Sequence, residues 1–94
     1  LYGIEEAIDN SGANIDYDTI AGILSLEFSD QSKIIINRQA ALGQLWVAAR
    51  SGGFHLDYIN NQWYCKNEDC SLAVLLNRLC TDQAHETVNL SLTK

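Results

Sequence analysis

The spacing of hydrophobic residues changes twice along the chain. Near the start, Leu1, Ile4 and Ile8 recur at intervals of three and four, which predicts the last turns of an amphipathic helix over residues 1–10. The Ser-Gly pair at 11–12 is predicted to end this helix. The interval then becomes two, which is typical of strands with one buried face.

Alternating polar and apolar residues predict about six short strands. In the fourth segment, Leu45 and Val47 are expected to face the core, which places Trp46 on the opposite face of the sheet. Polar turns, among them Asn60-Asn61, separate neighbouring segments closely enough for an antiparallel meander. The six predicted strands are residues 14–18, 22–28, 33–37, 44–50, 54–58 and 62–66.

Helical spacing returns near the end of the chain. Leucines at 72, 75, 76 and 79 predict a second amphipathic helix that runs to about Gln83, with capping groups from residues 67–69. After it, Val88, Leu90 and Leu92 alternate in a segment expected to be extended against the body. Two amphipathic helices and a one-sided sheet bury their apolar faces together as a two-layer α+β sandwich.

Length and composition restrict the class of protein. Ninety-four residues predict a single domain over residues 1–94. The longest uncharged stretch, residues 39–49, is too short for a membrane span, so no membrane association is expected. With no visible signal peptide and an odd number of cysteines, three, we expect a reducing, cytoplasmic location.

Charge is distributed unevenly. The net charge is −6, and residues 1–32 contain seven acids and no lysine or arginine. A nucleic-acid partner is therefore not expected, because such a protein has to neutralise phosphates. One end or face of the domain is predicted to be strongly anionic.

Five carboxylates form the first candidate site. On a helix, Glu5, Glu6 and Asp9 are neighbours that repel one another, and Asp16 and Asp18 share one face of the next strand. If that strand is a sheet edge beside the helix, the five form an acidic ridge whose oxygen donors suit hard cations, bound weakly, or a basic partner. The alternative is a solvated helix face with strand charges that deter edge aggregation.

An outward-facing tryptophan marks the second candidate site. A large exposed aromatic ringed by polar groups is typical of a binding hot spot, and alternation places Asn37 and Gln39 on the same face as Trp46. The alternatives are that the tail covers Trp46 or that the predicted register is wrong by one residue.

Neither the cysteines nor the histidines predict catalysis or a zinc site. Cys65 and Cys80 are expected in the core, and Cys70 is expected in the first helical turn, where its pKa would be lowered but no base is evident. His55 is expected to be a surface residue, and the chain contains no hydrolase, metalloprotease or nucleotide-binding motif. We therefore expect the protein not to be an enzyme.

Three motifs resemble the bacterial frataxin family of the CyaY type. They are Ile36-Asn37-Arg38-Gln39, then Gln44-Leu45-Trp46, then Ser51-Gly52-Gly53-Phe54-His55-Leu56-Asp57, and the similarity continues to Val88. The resemblance implies a two-layer α+β sandwich with most of the first helix preceding Leu1. The chain departs from the family at residues 10–14, where relatives usually carry more acids and about two more residues.

The resemblance also implies a function. It implies weak binding of ferrous and ferric iron on an acidic ridge, and a role in iron-sulfur cluster assembly through a cysteine desulfurase and its scaffold protein. Matching family positions are the ridge residues Glu5, Glu6, Asp9, Asp16 and Asp18, and the exposed sheet residues Asn37, Gln39 and Trp46. The expected protein is a monomeric regulator; the alternatives are an iron-oxidising chaperone that forms iron-dependent oligomers and a metal-independent acidic adaptor.

Overall fold

Two helices pack on one face of a seven-stranded antiparallel sheet. The computed structural model describes residues 2–90, and its strands follow one another in chain order across the sheet, with β1 and β7 at the two edges. The elements are α1 (Tyr2–Ser11), β1 (Asp16–Ile20), β2 (Ile23–Glu27), β3 (Lys33–Gln39), a 3-10 turn (Ala40–Leu42), β4 (Gln44–Ala49), β5 (Gly52–Ile59), β6 (Gln62–Cys65), β7 (Cys70–Ser71) and α2 (Leu72–Ala84).

The core lies between the helices and one face of the sheet, which we call the inner face. Each central strand sends alternate side chains into it, for example Leu24 and Leu26 from β2 and Ile34 and Ile36 from β3, all fully buried. The helices close the core with residues predicted from their spacing, which are Ile4 and Ile8 from α1 and Leu72, Leu75, Leu76 and Leu79 from α2. Ala7 of α1, which was not predicted, is also buried there. The predicted α+β sandwich is confirmed.

Helix α1 ends where the Ser-Gly pair predicted. The Ser11 hydroxyl donates to the carbonyl of Ile8 at 2.8 Å and accepts the amide of Ala13 at 3.1 Å. Gly12 then takes a left-handed φ of 72°, which is the usual way for a helix to end. This tight end turns the chain directly towards β1.

Two predicted boundaries at the sheet edges were wrong. The first strand is residues 16–20 instead of 14–18, and every residue in it is exposed, because it is an edge strand and its one buried neighbour, Ile15, precedes it. At the other edge, residues 70–71 form a seventh strand that was not predicted, since two residues show no periodicity. Ser71 therefore caps α2, accepting the amide of Val74, and the predicted capping residues 67–69 lie in the preceding turn.

The described part of the tail packs along α2. Val88 and Leu90 are buried, as predicted, and their amides are accepted by Thr81 Oγ1 and Asn77 Oδ1 at 2.9 and 2.8 Å. Leu92, like Leu1 at the other end of the chain, lies outside the described residues. The tail as far as residue 90 thus covers the helical layer and leaves Trp46 uncovered.

Of the cysteines, two lie where expected. Cys65 and Cys80 are buried in the core. Cys70 is in β7 and not in the first turn of α2, and partial burial raises its pKa instead of lowering it. The predicted position of Cys70 and the predicted direction of its pKa shift were therefore both wrong.

Within residues 2–90 there is no helix whose length and apolar character would suffice to cross a bilayer.

Candidate functional site

The predicted carboxylates lie along one edge of the sheet, where α1 runs antiparallel to edge strand β1. We call the five side chains Glu5, Glu6, Asp9, Asp16 and Asp18 the acidic edge. Tyr17 donates its hydroxyl to Asp9 Oδ2 at 2.8 Å, and Thr19 donates its hydroxyl to Glu5 Oε2. These two contacts fasten α1 to β1 and fix the direction of both carboxylates.

The acidic edge has two sides. Tyr17 is directly opposite the buried Leu26, so it belongs to the inner face, and the helical carboxylates Glu5 and Asp9 meet it there. Asp16 and Asp18 alternate with Tyr17 and therefore point to the outer face of the sheet, away from the helices. The structure thus divides the predicted continuous ridge between the two faces of one strand.

Glu27 belongs to the outer side of this edge, although the sequence analysis did not select it. It is directly opposite Asp16 on β2, and Lys33 is directly opposite it on β3. Carboxylates directly opposite each other on neighbouring strands repel and destabilise a sheet. The fold nevertheless holds Asp16 and Glu27 opposite each other, and Lys33 is the positive charge beside them. The connection between β1 and β2 is only two residues long, which fixes the register that places Glu27 opposite Asp16. This short connection is the feature of the sequence from which Glu27 could have been identified.

The acidic edge donates only oxygen and forms no enclosed metal cage. Within residues 2–90, no three His, Cys, Asp or Glu side chains are arranged closely enough to hold a metal ion. Pairs do approach one another, since Glu5 and Asp9 are one helical turn apart and Asp16 faces Glu27. Such pairs can contribute one or two carboxylates to a hard cation that keeps several of its waters, which means weak and exchangeable binding.

Hydrogen bonding to Asp9 also changes the titration of Tyr17. Because the phenol donates to this carboxylate and lies close to Glu5, the pKa of Tyr17 is raised above its ordinary value of 10.0. The phenol therefore remains protonated and keeps joining β1 to α1 throughout the neutral range.

The second group, which we call the sheet patch, lies on the outer face of the three central strands. Its members are Asn37, Gln39, Gln44, Trp46 and His55. Asn37, Trp46 and His55 form one row across β3, β4 and β5, and Gln39 is directly opposite Gln44 in the adjacent row. The predicted outward direction of Asn37, Gln39 and Trp46 is therefore confirmed.

Trp46 is half-buried and therefore less exposed than expected, because neighbouring side chains cover part of its ring. The His55 ring stacks on it with centroids 4.6 Å apart and planes 16° from parallel. The indole Nε1 donates to Gln44 Oε1 at 2.9 Å, and Gln44 in turn donates to Asp57 at 3.3 Å. The tryptophan is thus pre-oriented, with one ring face covered and little side-chain entropy left to lose on binding.

The outer side of the acidic edge and the sheet patch are parts of one surface. The row through Asn37, Trp46 and His55 continues through Ile23 of β2 to Ile20 of β1. Those two isoleucines are 37% and 68% exposed, and Ile20 shares its strand face with Asp18. Three strand spacings separate β1 from β4, or about 14 Å, which a single protein partner can span.

Sequence and structure comparisons identify relatives. A sequence profile described as a frataxin-like domain matches residues 1–86. A protein of Vibrio vulnificus is 45% identical over 86 residues, covering 92% of this chain and 83% of the relative. One from Photobacterium profundum is 46% identical over 88 residues, covering 94% and 84%. Both are named iron-sulfur cluster assembly protein CyaY.

Solved structures agree with this grouping. The frataxin of Psychromonas ingrahamii, from the CyaY protein family, superimposes with a TM-score of 0.86 at 40% identity, covering 94% of this chain and 84% of that one. A trimeric frataxin from the yeast Saccharomyces cerevisiae superimposes with a TM-score of 0.67 at 21% identity, covering 87% and 70%, and supports the fold alone.

Proposed function

This chain belongs to the frataxin family, and from that premise we propose that it takes part in iron-sulfur cluster assembly as a non-enzymatic, iron-binding regulator. The partners we propose are a cysteine desulfurase and its scaffold protein. The cytoplasm is the compartment we propose for this activity, with the protein acting as a monomer. The curated relatives bear the name of assembly proteins, which supports the general role.

One observation carries the more detailed proposal, namely the continuity of the outer side of the acidic edge with the sheet patch. A row of side chains five strands wide begins at Ile20, beside Asp18, and passes through Trp46 to His55. An aromatic anchor with apolar neighbours and a charged border is the usual anatomy of a protein interface. We therefore assign Asn37, Gln39 and Trp46 to partner contact together with Asp16 and Asp18. We extend the proposed contact around the sheet edge to Glu5, Glu6 and Asp9 of α1.

Iron acts in this proposal as cargo on the acidic edge. All the donors are carboxylate oxygens, which suit ferrous and ferric ions, and no closed set of ligands within residues 2–90 would retain the metal. The same carboxylates attract arginine and lysine side chains of a desulfurase. Iron and desulfurase then compete for one surface, which links the supply of iron to the rate of assembly.

Charge-removing variants test the iron site. Glu5→Gln with Asp9→Asn neutralises the inner side of the acidic edge, and Asp16→Asn with Asp18→Asn neutralises the outer side. We expect each pair to weaken anaerobic Fe(II) binding about tenfold, because each removes two charged donors. Glu68→Gln, which makes the same kind of change near the opposite edge of the sheet, is the control and should leave iron binding unchanged.

The response of both variants assigns the function. Unchanged iron affinity in both pairs would overturn the iron site. If desulfurase binding alone were lost, the protein would be a metal-independent adaptor. Growth in mass with added iron and turnover of Fe(II) to Fe(III) would replace the regulator with an oligomeric, iron-oxidising chaperone.

Salt dependence tests the mode of docking. Association steered by exposed carboxylates is screened by ions, so we expect the association rate with the desulfurase to fall about tenfold between about 50 and 500 mM salt. The double variants should show a smaller dependence than the Glu68→Gln control. An association rate that does not change with salt would exclude the acidic edge as the contact surface.

A further inference from the structure

Two cysteines face each other at the edge of the sheet farthest from the acidic edge. Cys65 ends β6 and Cys70 begins β7, and they are directly opposite each other in this antiparallel pair. Both side chains therefore lie on the same face, where Cys65 is buried and Cys70 packs against the core. Both are free thiols.

Their positions meet the geometric requirement for a disulfide. Directly opposite residues in an antiparallel pair have Cα atoms about 4.5–5.5 Å apart, inside the range of about 4.4–6.8 Å found in disulfides. The two side chains also leave the sheet in the same direction, so their sulfur atoms can meet without a change of fold.

The surrounding contacts hold this arrangement in place. The four-residue turn between the cysteines is closed by the Tyr64 hydroxyl, which donates to Asp69, and by Glu68, which pairs with Arg78 of α2 at 2.7 Å. Asp69 adopts a left-handed φ of 52°, which returns the chain to β7. The turn is therefore fastened both to β6 and to the second helix.

We propose that Cys65 and Cys70 form a reversible intramolecular disulfide, which makes the β6–β7 hairpin a site of oxidative modification. This inference does not depend on the proposed iron function. Of the two thiols, Cys70 is the one open to solvent, being partly exposed where Cys65 is 1% exposed. It is thus the thiol that an oxidant from solution meets first.

Hydrogen peroxide is a sufficient oxidant. Cys70 reacts through the minor fraction that has lost its proton to solvent, because its pKa is raised. This thiolate attacks one peroxide oxygen, an S–O bond forms, the O–O bond breaks, and the departing hydroxide takes up a proton to become water. The Cys65 sulfur then attacks the Cys70 sulfur, the S–O bond breaks, and a second water leaves. Two thiols lose two electrons and two protons, and one peroxide becomes two waters.

Cys80 provides an internal comparison. It is buried in α2, has no cysteine opposite it in the sheet, and burial raises its pKa to about 12. It is therefore expected to remain a thiol while the other two are oxidised.

Peptide mapping tests the proposal directly. The folded, reduced protein is treated with hydrogen peroxide, blocked, and digested with trypsin, which cuts after Lys66 and so separates Cys65 from Cys70. We expect the two resulting peptides to remain joined until dithiothreitol is added, and the thiol count to fall from three to one. The Cys80→Ser variant should give the same joined peptides, and the Cys70→Ser variant should not.

A stability measurement provides a second readout. The disulfide joins the end of β6 to the residue before the cap of α2, so the oxidised wild type should melt several degrees above the reduced protein. Peroxide should leave the melting temperature of Cys70→Ser unchanged. Peptides that separate without reductant, or that are joined through Cys80, would overturn the assignment.

Discussion

In one turn of this protein, the residue present is not the one that best tolerates the backbone conformation. Two two-residue turns connect neighbouring strands with positive φ at both positions. The turn at Asn60 and Asn61 uses residues that tolerate this conformation, whereas Ala21, beside Gly22, has a φ of 53° and a side chain that disfavours it.

Replacing Ala21 should therefore stabilise the protein. We expect Ala21→Asn to raise the free energy of unfolding by about 1 kcal/mol, because asparagine relieves the left-handed strain in a turn that is otherwise unchanged. Urea denaturation measures this change. Gly22→Ala, which introduces the same strain at the next residue, is the opposing control and should destabilise. A neutral or destabilising Ala21→Asn would contradict this explanation.

Asp30 has a pKa that differs from that of a free aspartate, so its titration affects stability. The side chain and amide of Ser32 both donate to it, and His85 and Arg50 lie 3.0 Å from its carboxylate, so its pKa is well below the ordinary value of 3.8. A lowered carboxyl pKa stabilises the folded state above pH 3.8, and the contribution is lost as the pH falls further towards the folded-state value.

The variant Asp30→Asn should consequently lower the melting temperature at pH 7, and its difference from the wild type should shrink as the pH falls below about 4. Asp82→Asn is a matched control, because Asp82 reaches the same Arg50 only at 3.6 Å. If the Asp30→Asn difference were constant from pH 7 to pH 2, the hydrogen-bonded carboxylate would not be its cause.

At the scale of secondary-structure elements, Gln83 joins three parts of the fold. Its side chain is 1% exposed, accepts the amide of Arg50 at 3.0 Å, and donates to Ser32 Oγ and the Lys33 carbonyl at 2.9 and 3.3 Å. The last turn of α2 is thus fastened to the β2–β3 turn and to the connection between β4 and β5.

Truncating Gln83 should leave its hydrogen-bond partners without a partner. We expect Gln83→Ala to destabilise the protein by about 2 kcal/mol, since a half-buried amide and a carbonyl lose their hydrogen bonds. Gln62→Ala, at an exposed position of β6, should stay within about 0.5 kcal/mol of wild type. Urea midpoints for the two variants provide the comparison, and equal midpoints would contradict the bridging role.

Elements with many buried residues were predictable from the sequence, and marginal ones were not. Strand β4 and helix α2 have strong periodicity because alternate or helically spaced residues enter the core. Edge strand β1 has no buried residue, and β7 has two residues in all, so only pairing with a neighbour defines them. Their bounds depend on tertiary structure, which local pattern does not contain.

The same distinction applies to the candidate sites. Alternation along single strands placed Trp46 and Asn37 on the outer face correctly. The packing of α1 against β1 determines which carboxylates lie on the same side of the sheet edge. The pattern of residues along the chain does not predict that packing. For this reason the separation of Glu5 and Asp9 from Asp16 and Asp18, and the addition of Glu27, emerge only from the structure.

At the scale of the whole molecule, charge and chemistry are separated across the sheet. The acidic edge lies at β1, the sheet patch lies at the centre of the outer face, and the two facing cysteines lie at the β7 edge. The net charge of −6 is therefore concentrated at one edge of the sheet and is not spread evenly over the surface. A partner with a basic rim around an apolar centre matches this arrangement.

An NMR titration of labelled protein with a cysteine desulfurase tests most directly whether the acidic edge and the sheet patch form one docking surface. We predict that the β1 amides of residues 16–20 and the Trp46 indole shift together at one affinity, and that Fe(II) added anaerobically weakens both sets of shifts in parallel. Shifts confined to Trp46 and its strand neighbours, with the β1 amides unmoved and iron without effect, would contradict the single surface and the competition between iron and partner.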